Sequence, residues 1–365
     1  MRFGIYDGIE KNIRRYGGYT MVIDANLYWI PETLFTDSEL QNKFLSEVTG
    51  RYDWFGHVEN VEGTDKVQFI MEKPRGFANL NYVQGEYELE KQLADMDDAG
   101  IDKAVMKLPG CAEWLDLELC QYFNDKAAEH AKKSGGRLTA LAVVPPYSTD
   151  ENIEELRRCS EELGLKTVQL SAHYGDKYLD NEAFSGFFEK LNELNMNAYV
   201  HHTPVPVEYQ SFRTYDNVRR SYGRLVDQGL AVSREMYSGF FNKYPNVKLA
   251  HSMMGGAFYA IQEMLLPHGP MDGGAVRRFQ GDTGNLAEQL NAQVVYEMSH
   301  AQPWGKQGLE YAVSVVGADH VIYGSSYPVK MDWMKGGPEF IRNLDITGEE
   351  KEQILHKNAE RFYQL

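Results

Sequence analysis

The side chains in this sequence best placed for chemistry are histidines at the ends of short β-rich runs. His201 and His202 close the run that begins at Ala198, and His251 closes the run that begins at Lys248. A neutral imidazole, with an ordinary pKa of about 6.5, exchanges protons at working pH. His251 is followed by Gly255 and Gly256, whose backbone can come close to a ligand, which makes it the candidate for proton transfer. Adjacent strand residues face opposite sides, so only one of His201 and His202 can face a cavity. The other packs beneath helices against a backbone carbonyl. Asn26 can donate hydrogen bonds to a carbonyl or carboxylate, and Tyr28 can donate or, with a lowered pKa, act as a base. Asp24 lies two residues before Asn26, on the same strand face, and orients its neighbours. Ser326 can hydrogen-bond a substrate, but no Ser-His-Asp or Gly-x-Ser-x-Gly pattern supports nucleophilic use. Glu297 and His300 follow a later run as weaker candidates. Arg75 is the candidate for a bidentate grip on a carboxylate, set against the plainer reading of a solvated surface arginine. Trp29, Trp114, Tyr174, Trp304 and Tyr327 fall just beyond run ends, where aromatic rings suit a flat, conjugated substrate, although core packing explains some equally well.

The elements that position these residues alternate. Eight candidate strands, Met21 to Ala25, Lys103 to Leu108, Leu138 to Val144, Thr167 to Leu170, Ala198 to His202, Lys248 to His251, Gln293 to Met298 and Val321 to Gly324, are separated by segments of helical period. Leu89, Leu93 and Met96 share one helical stripe before Gly100, and Ile153, Leu156 and Leu163 form another before Gly164. Thr347 to Glu350 has the form of a capping box at the start of a final helix that closes the barrel. The pattern predicts an α/β fold, an eight-stranded (β/α)8 TIM barrel in a single domain over residues 1–365. Two connections are too long for turns, 31–86 after the first strand and 203–246 after the fifth. The first holds a strand or hairpin at Lys66 to Glu72 and reads as a lid or a subunit contact.

Bulk properties narrow the partners. Hydrophobic residues make up 43% and charged residues 25% of 365, a globular composition. A formal net charge of −16 argues against nucleic acid or an anionic membrane surface, so the expected partner is a small molecule, and any anionic substrate needs a local cationic pocket. Cys111, Cys120 and Cys159 form no CxxC pair or disulfide framework and read as buried small apolar residues. No run approaches the length of a membrane span, and the segment from Met1 to Gly8 has no signal-peptide core, so the expected location is cytoplasmic.

Several segments together resemble the amidohydrolase-related family, in the branch that contains aminocarboxymuconate-semialdehyde decarboxylase. They are Met21 to Pro31, Leu93 to Asp102, Arg137 to Pro145, Gly164 to Leu170, Leu179 to Phe184, Val200 to His202, Leu249 to His251 with Gly255 to Phe258, Val321 to Pro328, and Asn358 with Ala359 and Phe362. In that family the first strand ends in His-x-His, the fifth- and sixth-strand histidines serve the metal and the proton, and the eighth strand carries Gly-Ser-Asp-Tyr-Pro. Here the first-strand positions hold Asn26 and Tyr28, and the eighth-strand carboxylate position holds Ser326. The resemblance selects His201 as the cavity-facing residue and the counterpart of a ligand, and His251 as the general acid or base. A catalytic zinc site needs about three protein ligands, and a carboxamide and a neutral phenol are poor ones. Asn26 and Tyr28 then either donate to substrate or plug the cavity as inert bulk.

The resemblance implies a lyase more than an amide hydrolase. The expectation is a metal-independent decarboxylase or hydratase/dehydratase acting on an aromatic or conjugated carboxylic acid. In it His251 transfers the proton, Asn26, Tyr28 and His201 stabilise charge on substrate oxygens, and Ser326, Arg75, Trp29, Tyr174, Tyr327 and His300 bind substrate. No cofactor is expected. The alternatives are a zinc- or manganese-dependent hydrolase with a displaced site drawn from His201, His251, Glu297 and His300, and a noncatalytic binding protein or inactive partner subunit. A homodimer is usual in the family.

Overall fold

The computed structural model describes residues 21–279 and 285–365; the reading of the segment from Met1 lies outside the described residues. Within them eight parallel strands follow one another around a barrel: Ile23–Tyr28, Lys103–Lys107, Leu138–Ala140 continued as Ala142–Val143, Thr167–Ser171, Asn197–His201, Leu249–His251, Val294–Glu297 and Val321–Ile322. Each pairs in parallel with the next, as in Ile23 with Lys103, Val200 with His251 and Glu297 with Ile322. The third strand is broken at Leu141, whose N–H donates to the Met106 carbonyl. The ring closes where the Ala25 N–H meets the Tyr323 carbonyl at 3.0 Å and the Tyr28 N–H meets the Tyr327 carbonyl at 2.8 Å.

Alternation along the strands decides which residues share the barrel interior. Ile23, Ala25, Val105, Leu141, Tyr199, Ala250, Val295 and Ile322 form a small interior cluster, plugged from below by Phe362 and Tyr363 of the C-terminal helix Asn358–Tyr363. The other faces of the strands pack against the helices in a larger cluster. Local signals set the helix ends. Gly100 takes the left-handed conformation at φ 69° to close Leu89–Ala99, Thr149 caps Asp150–Glu161, and Thr347 with Glu350 forms the capping box before the last helical segment.

Both long connections are structured. Residues 31–86 carry the helix Ser38–Val48 and a three-stranded antiparallel sheet, Phe55–Asn60, Val67–Glu72 and Ala78–Val83, where the sequence predicts one strand or hairpin. The unit is held by a buried aromatic core in which Trp114 packs on Phe44 and Trp54. Residues 203–246 contain the helix Gly223–Tyr237, which lies against the sixth strand and the turn after it. That turn is unusual: Met253, Met254, Gly255, Gly256 and Ala257 all have positive φ, between 52° and 71°. The three non-glycine residues store about 1–2 kcal/mol each. Gly256 is required there, because a Cβ would fall 2.0 Å from the Leu225 carbonyl of the helix. No described helix is long and apolar enough to cross a membrane.

Candidate active site

The first strand carries a bulge between Asp24 and Leu27 that aims Asn26 and Tyr28 into the barrel. Asp24 holds it: its Oδ1 accepts the Asn26 and Ser325 N–H groups at 2.9 Å each, and its Oδ2 accepts the Ser325 hydroxyl. Burial pushes the Asp24 carboxyl pKa up, against these hydrogen bonds and the Lys107 charge. The bulge breaks simple alternation, so Asp24 meets Ser325 while Asn26 meets Glu297, with its Nδ2 donating to Oε2 at 3.0 Å.

Asn26 thereby joins a polar floor directly above the apolar plug. Glu297 also accepts the Tyr199 hydroxyl at 2.9 Å and the Ser299 N–H at 2.5 Å. The Lys107 ammonium lies 3.8 Å from Glu297 Oε2 and 3.3 Å from the centre of the Tyr199 ring, and both ionic side chains are fully buried. Burial raises the Glu297 carboxyl pKa and drives the Lys107 ammonium down to about 7, with Glu297 and Asp24 opposing the latter. Gly324 makes room for this layer, since a Cβ there would lie 2.1 Å from Glu297 Oε1 and 2.6 Å from the Asn26 Cβ.

Above the floor, Tyr28 and His201 meet across the barrel, with the phenol oxygen 3.0 Å from Nε2. Nδ1 of His201 lies 2.6 Å from the His202 carbonyl, which can only accept, so Nδ1 carries the proton. Burial, with the Lys107 charge behind it, holds the His201 pKa down at about 3. Nε2 is therefore a free lone pair that accepts the Tyr28 O–H. Burial likewise raises the Tyr28 pKa to about 12, so the phenol keeps its proton. His202 is not tucked beneath the helices: its ring stacks on His201 at 4.2 Å, with Nδ1 3.1 Å from the Ser252 hydroxyl. Arg224, near the start of the helix Gly223–Tyr237, is the cation of this layer. Its charge bears on Tyr28, His201, His202 and His300, and its Nε has no hydrogen-bond partner among the described residues.

Other expected residues stand elsewhere. Inward Ala250 leaves His251 on the outer face of the sixth strand, where Gln228 Oε1 at 2.9 Å and Glu235 Oε2 at 2.8 Å take its two ring nitrogens. His251 does not face the mouth, and a displaced metal site built on it with His201, Glu297 and His300 is not assembled. Arg75 is exposed, 5.5 Å from the Phe55 ring on the inserted sheet, so it grips nothing at the mouth. Ser326 stays at the site: it donates to the Ser299 carbonyl at 2.9 Å, bracing the ends of the seventh and eighth strands, and sits beside Tyr28, whose pKa its hydroxyl pulls down against burial. Tyr327 points outward to Asp95, Tyr174 packs with Tyr147 and Phe184, and Trp29 packs on His130. Trp304 ties its Nε1 to the Met298 carbonyl, and these aromatic residues are packing or bracing groups. His300 reaches the rim, stacked on Trp333 at 4.4 Å, with burial and then Arg224 holding its pKa at about 4.

Two residues of the site escape a strand-by-strand reading. Lys107 follows inward Val105 by two positions, which places it on the axis. Arg224, Gln228 and Glu235 fall at helical spacings of four and seven, a polar stripe hidden within what reads as a connection.

The chain is 26% identical over 254 residues to 2-amino-3-carboxymuconate-6-semialdehyde decarboxylase of Dictyostelium discoideum, covering 68% of this chain and 67% of that one. It is 24% identical over 323 residues to the gamma-resorcylate decarboxylase of Rhizobium sp. (strain MTP-10005), covering 79% and 93%. The crystal structure of 5-carboxyvanillate decarboxylase from Sphingomonas paucimobilis superposes with a TM-score of 0.76 at 19% identity, over 95% of this chain and 99% of that one. The enzyme of the same name from Novosphingobium aromaticivorans, complexed with manganese and 4-hydroxy-3-methoxy-5-nitrobenzoic acid, gives 0.73 at 20% identity over 95% and 96%. At these identities the structures establish the shared fold.

The residues present do not fit the manganese seen in that neighbour. Asn26 turns its amide N–H toward Glu297, Tyr28 keeps its proton and shares it with His201, and the Glu297 carboxylate is committed to four donors beside an ammonium. Among the described residues no group of three or more His, Cys, Asp and Glu side chains is arranged to hold a metal. The barrel and both insertions lie within residues 23–365, all of which match the Amidohydrolase family profile, and the chain belongs to that family.

Proposed function

We propose that the chain is a carbon–carbon lyase that removes CO2 from an aromatic or conjugated carboxylic acid, with no divalent ion among Asn26, Tyr28 and His201. The observation that carries this reading is the Tyr28–His201 hydrogen bond within the field of the Arg224 guanidinium, in a chain whose relatives are named decarboxylases. A guanidinium is suited to a substrate carboxylate, which it can bind through two parallel hydrogen bonds. In the reaction the ring carbon that bears the carboxylate takes a proton as its bond to CO2 breaks. With His251 out of reach, the Tyr28–His201 hydrogen bond is the proton-bearing pair at the mouth, and Asn26 lies beneath it to stabilise charge on substrate oxygens.

The test is CO2 release from 2,6-dihydroxybenzoate and 5-carboxyvanillate by protein stripped with a chelator. Release that persists in chelator is expected. Release that appears only when manganese is returned would sink the metal-independent part of the reading, and no release in either state would sink the reaction. One observation favours a noncatalytic binding protein: Asn26, His201, Ser326 and Tyr28 are 0%, 2%, 5% and 6% exposed. CO2 release that is lost in Arg224→Met would decide against it.

A further inference from the structure

The floor beneath Tyr28 and His201 holds a charge that the reaction above does not use. The Lys107 ammonium is fully buried and has no hydrogen-bond partner among the described residues, its nearest carboxylate being 3.8 Å away. Glu297, that carboxylate, is already committed to Asn26, Tyr199 and Ser299. The carboxamide oxygen of Asn26 is likewise buried without a partner. An ammonium is costly to bury in this way, and an uncharged chain of similar length would pack over the Tyr199 ring without that cost. Its position gives the charge a use. Val105 and Lys107 share the inward face of the second strand, and the Lys107 field reaches His201, the partner of Tyr28.

We propose that Lys107 is the resident cation of this site. From the barrel floor its ammonium supplies the fixed positive charge that holds an anionic substrate oxygen, the electrostatic task that a metal ion performs in metal-dependent enzymes. The proposal rests on the reading of the mouth as a site for an aromatic acid, and it turns the poor fit to manganese into a positive feature. A divalent ion among Asn26, Tyr28 and His201 would meet a like charge already seated in the barrel. Burial brings the ammonium to about 7, with Glu297 and Asp24 opposing, so a bound anion would favour its charged form.

The experiment uses the full chain, free of metal, and 4-hydroxy-3-methoxy-5-nitrobenzoic acid, whose nitrophenolate absorbs in the visible. Binding is expected to ionise the phenol at a lower pH than in water. Lys107→Met should weaken binding about tenfold or more and reduce that shift, as expected for the loss of one buried charge interaction. Because Lys107→Met leaves Glu297 unpaired, Lys107→Met/Glu297→Gln is the second variant, with its fold checked by circular dichroism, and it should bind equally weakly. The proposal fails if the double variant binds the probe as tightly and with the same shift as the parent, or if the parent does not bind it. It also fails if the parent takes up one manganese ion per chain that His201→Ala abolishes. CO2 release undiminished in the double variant would end this assignment and leave the reaction standing. A Lys107-dependent shift without CO2 release from any acid tested would do the reverse.

Discussion

At the scale of single residues, the mouth of the barrel is a set of proton holders and one guanidinium. Arg224→Met removes that guanidinium from a partly exposed position where, among the described residues, its one printed hydrogen bond is a long one from Nη2 to the Asn79 carbonyl at 3.5 Å, so the fold should survive. KM for an aromatic carboxylate should rise about 10- to 100-fold, the worth of one charge-assisted pair, while the melting temperature stays within a few degrees. Steady-state kinetics alongside a thermal melt checks this, and an unchanged KM would place the carboxylate elsewhere. Tyr28→Phe deletes the O–H that His201 Nε2 accepts and leaves that nitrogen buried without a donor. The cost should be about 1–3 kcal/mol of stability together with a fall in kcat. A variant that loses stability and keeps full kcat would remove the pair from the reaction.

At the scale of elements, the wall behind the site is a lock between the sixth strand and the helix Gly223–Tyr237. His251 joins Gln228 and Glu235, and the left-handed turn that follows presses Gly256 onto the helix backbone at Leu225 and Gly229. The same helix carries Arg224, so the lock sets where the guanidinium stands. Leaving a buried hydrogen-bonding group without its partner costs about 1–3 kcal/mol, and His251 has two such partners. His251→Ala should therefore lower stability in urea by that order, with a loss of activity that tracks the loss of folded protein. Gly256→Ala should be worse, because its Cβ would fall within 3 Å of three backbone atoms of the helix. A well-folded Gly256→Ala protein of parental melting temperature would contradict this account of the turn.

At the scale of the whole molecule, several histidines are buried as neutral rings. Burial holds His130 and His300 at about 4 and His201 at about 3, and drives His202 well below its ordinary value. Each folded pKa lies below the unfolded one, so the unfolded chain binds the proton first, and stability falls as pH drops from about 6.5 toward 4. Buried carboxyls with raised pKa values, Asp24 and Glu297 among them, act with the opposite sign, so the useful quantity is a difference. His300→Phe, keeping a ring on Trp333, should remove up to about 1.4 kcal/mol per pH unit of that slope between pH 6 and 5. Urea unfolding at both pH values measures it, and an unchanged slope would show that His300 is protonated in the fold.

The sequence alone determined the barrel. Hydrophobic runs of strand length alternating with helical stripes, and caps such as Gly100 and the Thr347–Glu350 box, are local signals, and the element order they dictate closes in one way. It also placed Asn26, Tyr28 and His201 at strand ends, since position along a strand is a property of the chain. Which side each residue faces was decided by the tertiary structure. A bulge pinned by Asp24 turned Asn26 and Tyr28 inward, inward Ala250 sent His251 out to a helix, and packing sealed Tyr174 and Tyr327 away from the mouth. Lys107 and Arg224 became parts of one site only when the second strand and a helix far along the chain brought their charges to bear on the same His201 ring, because an electrostatic environment depends on distances in space that no spacing in sequence records.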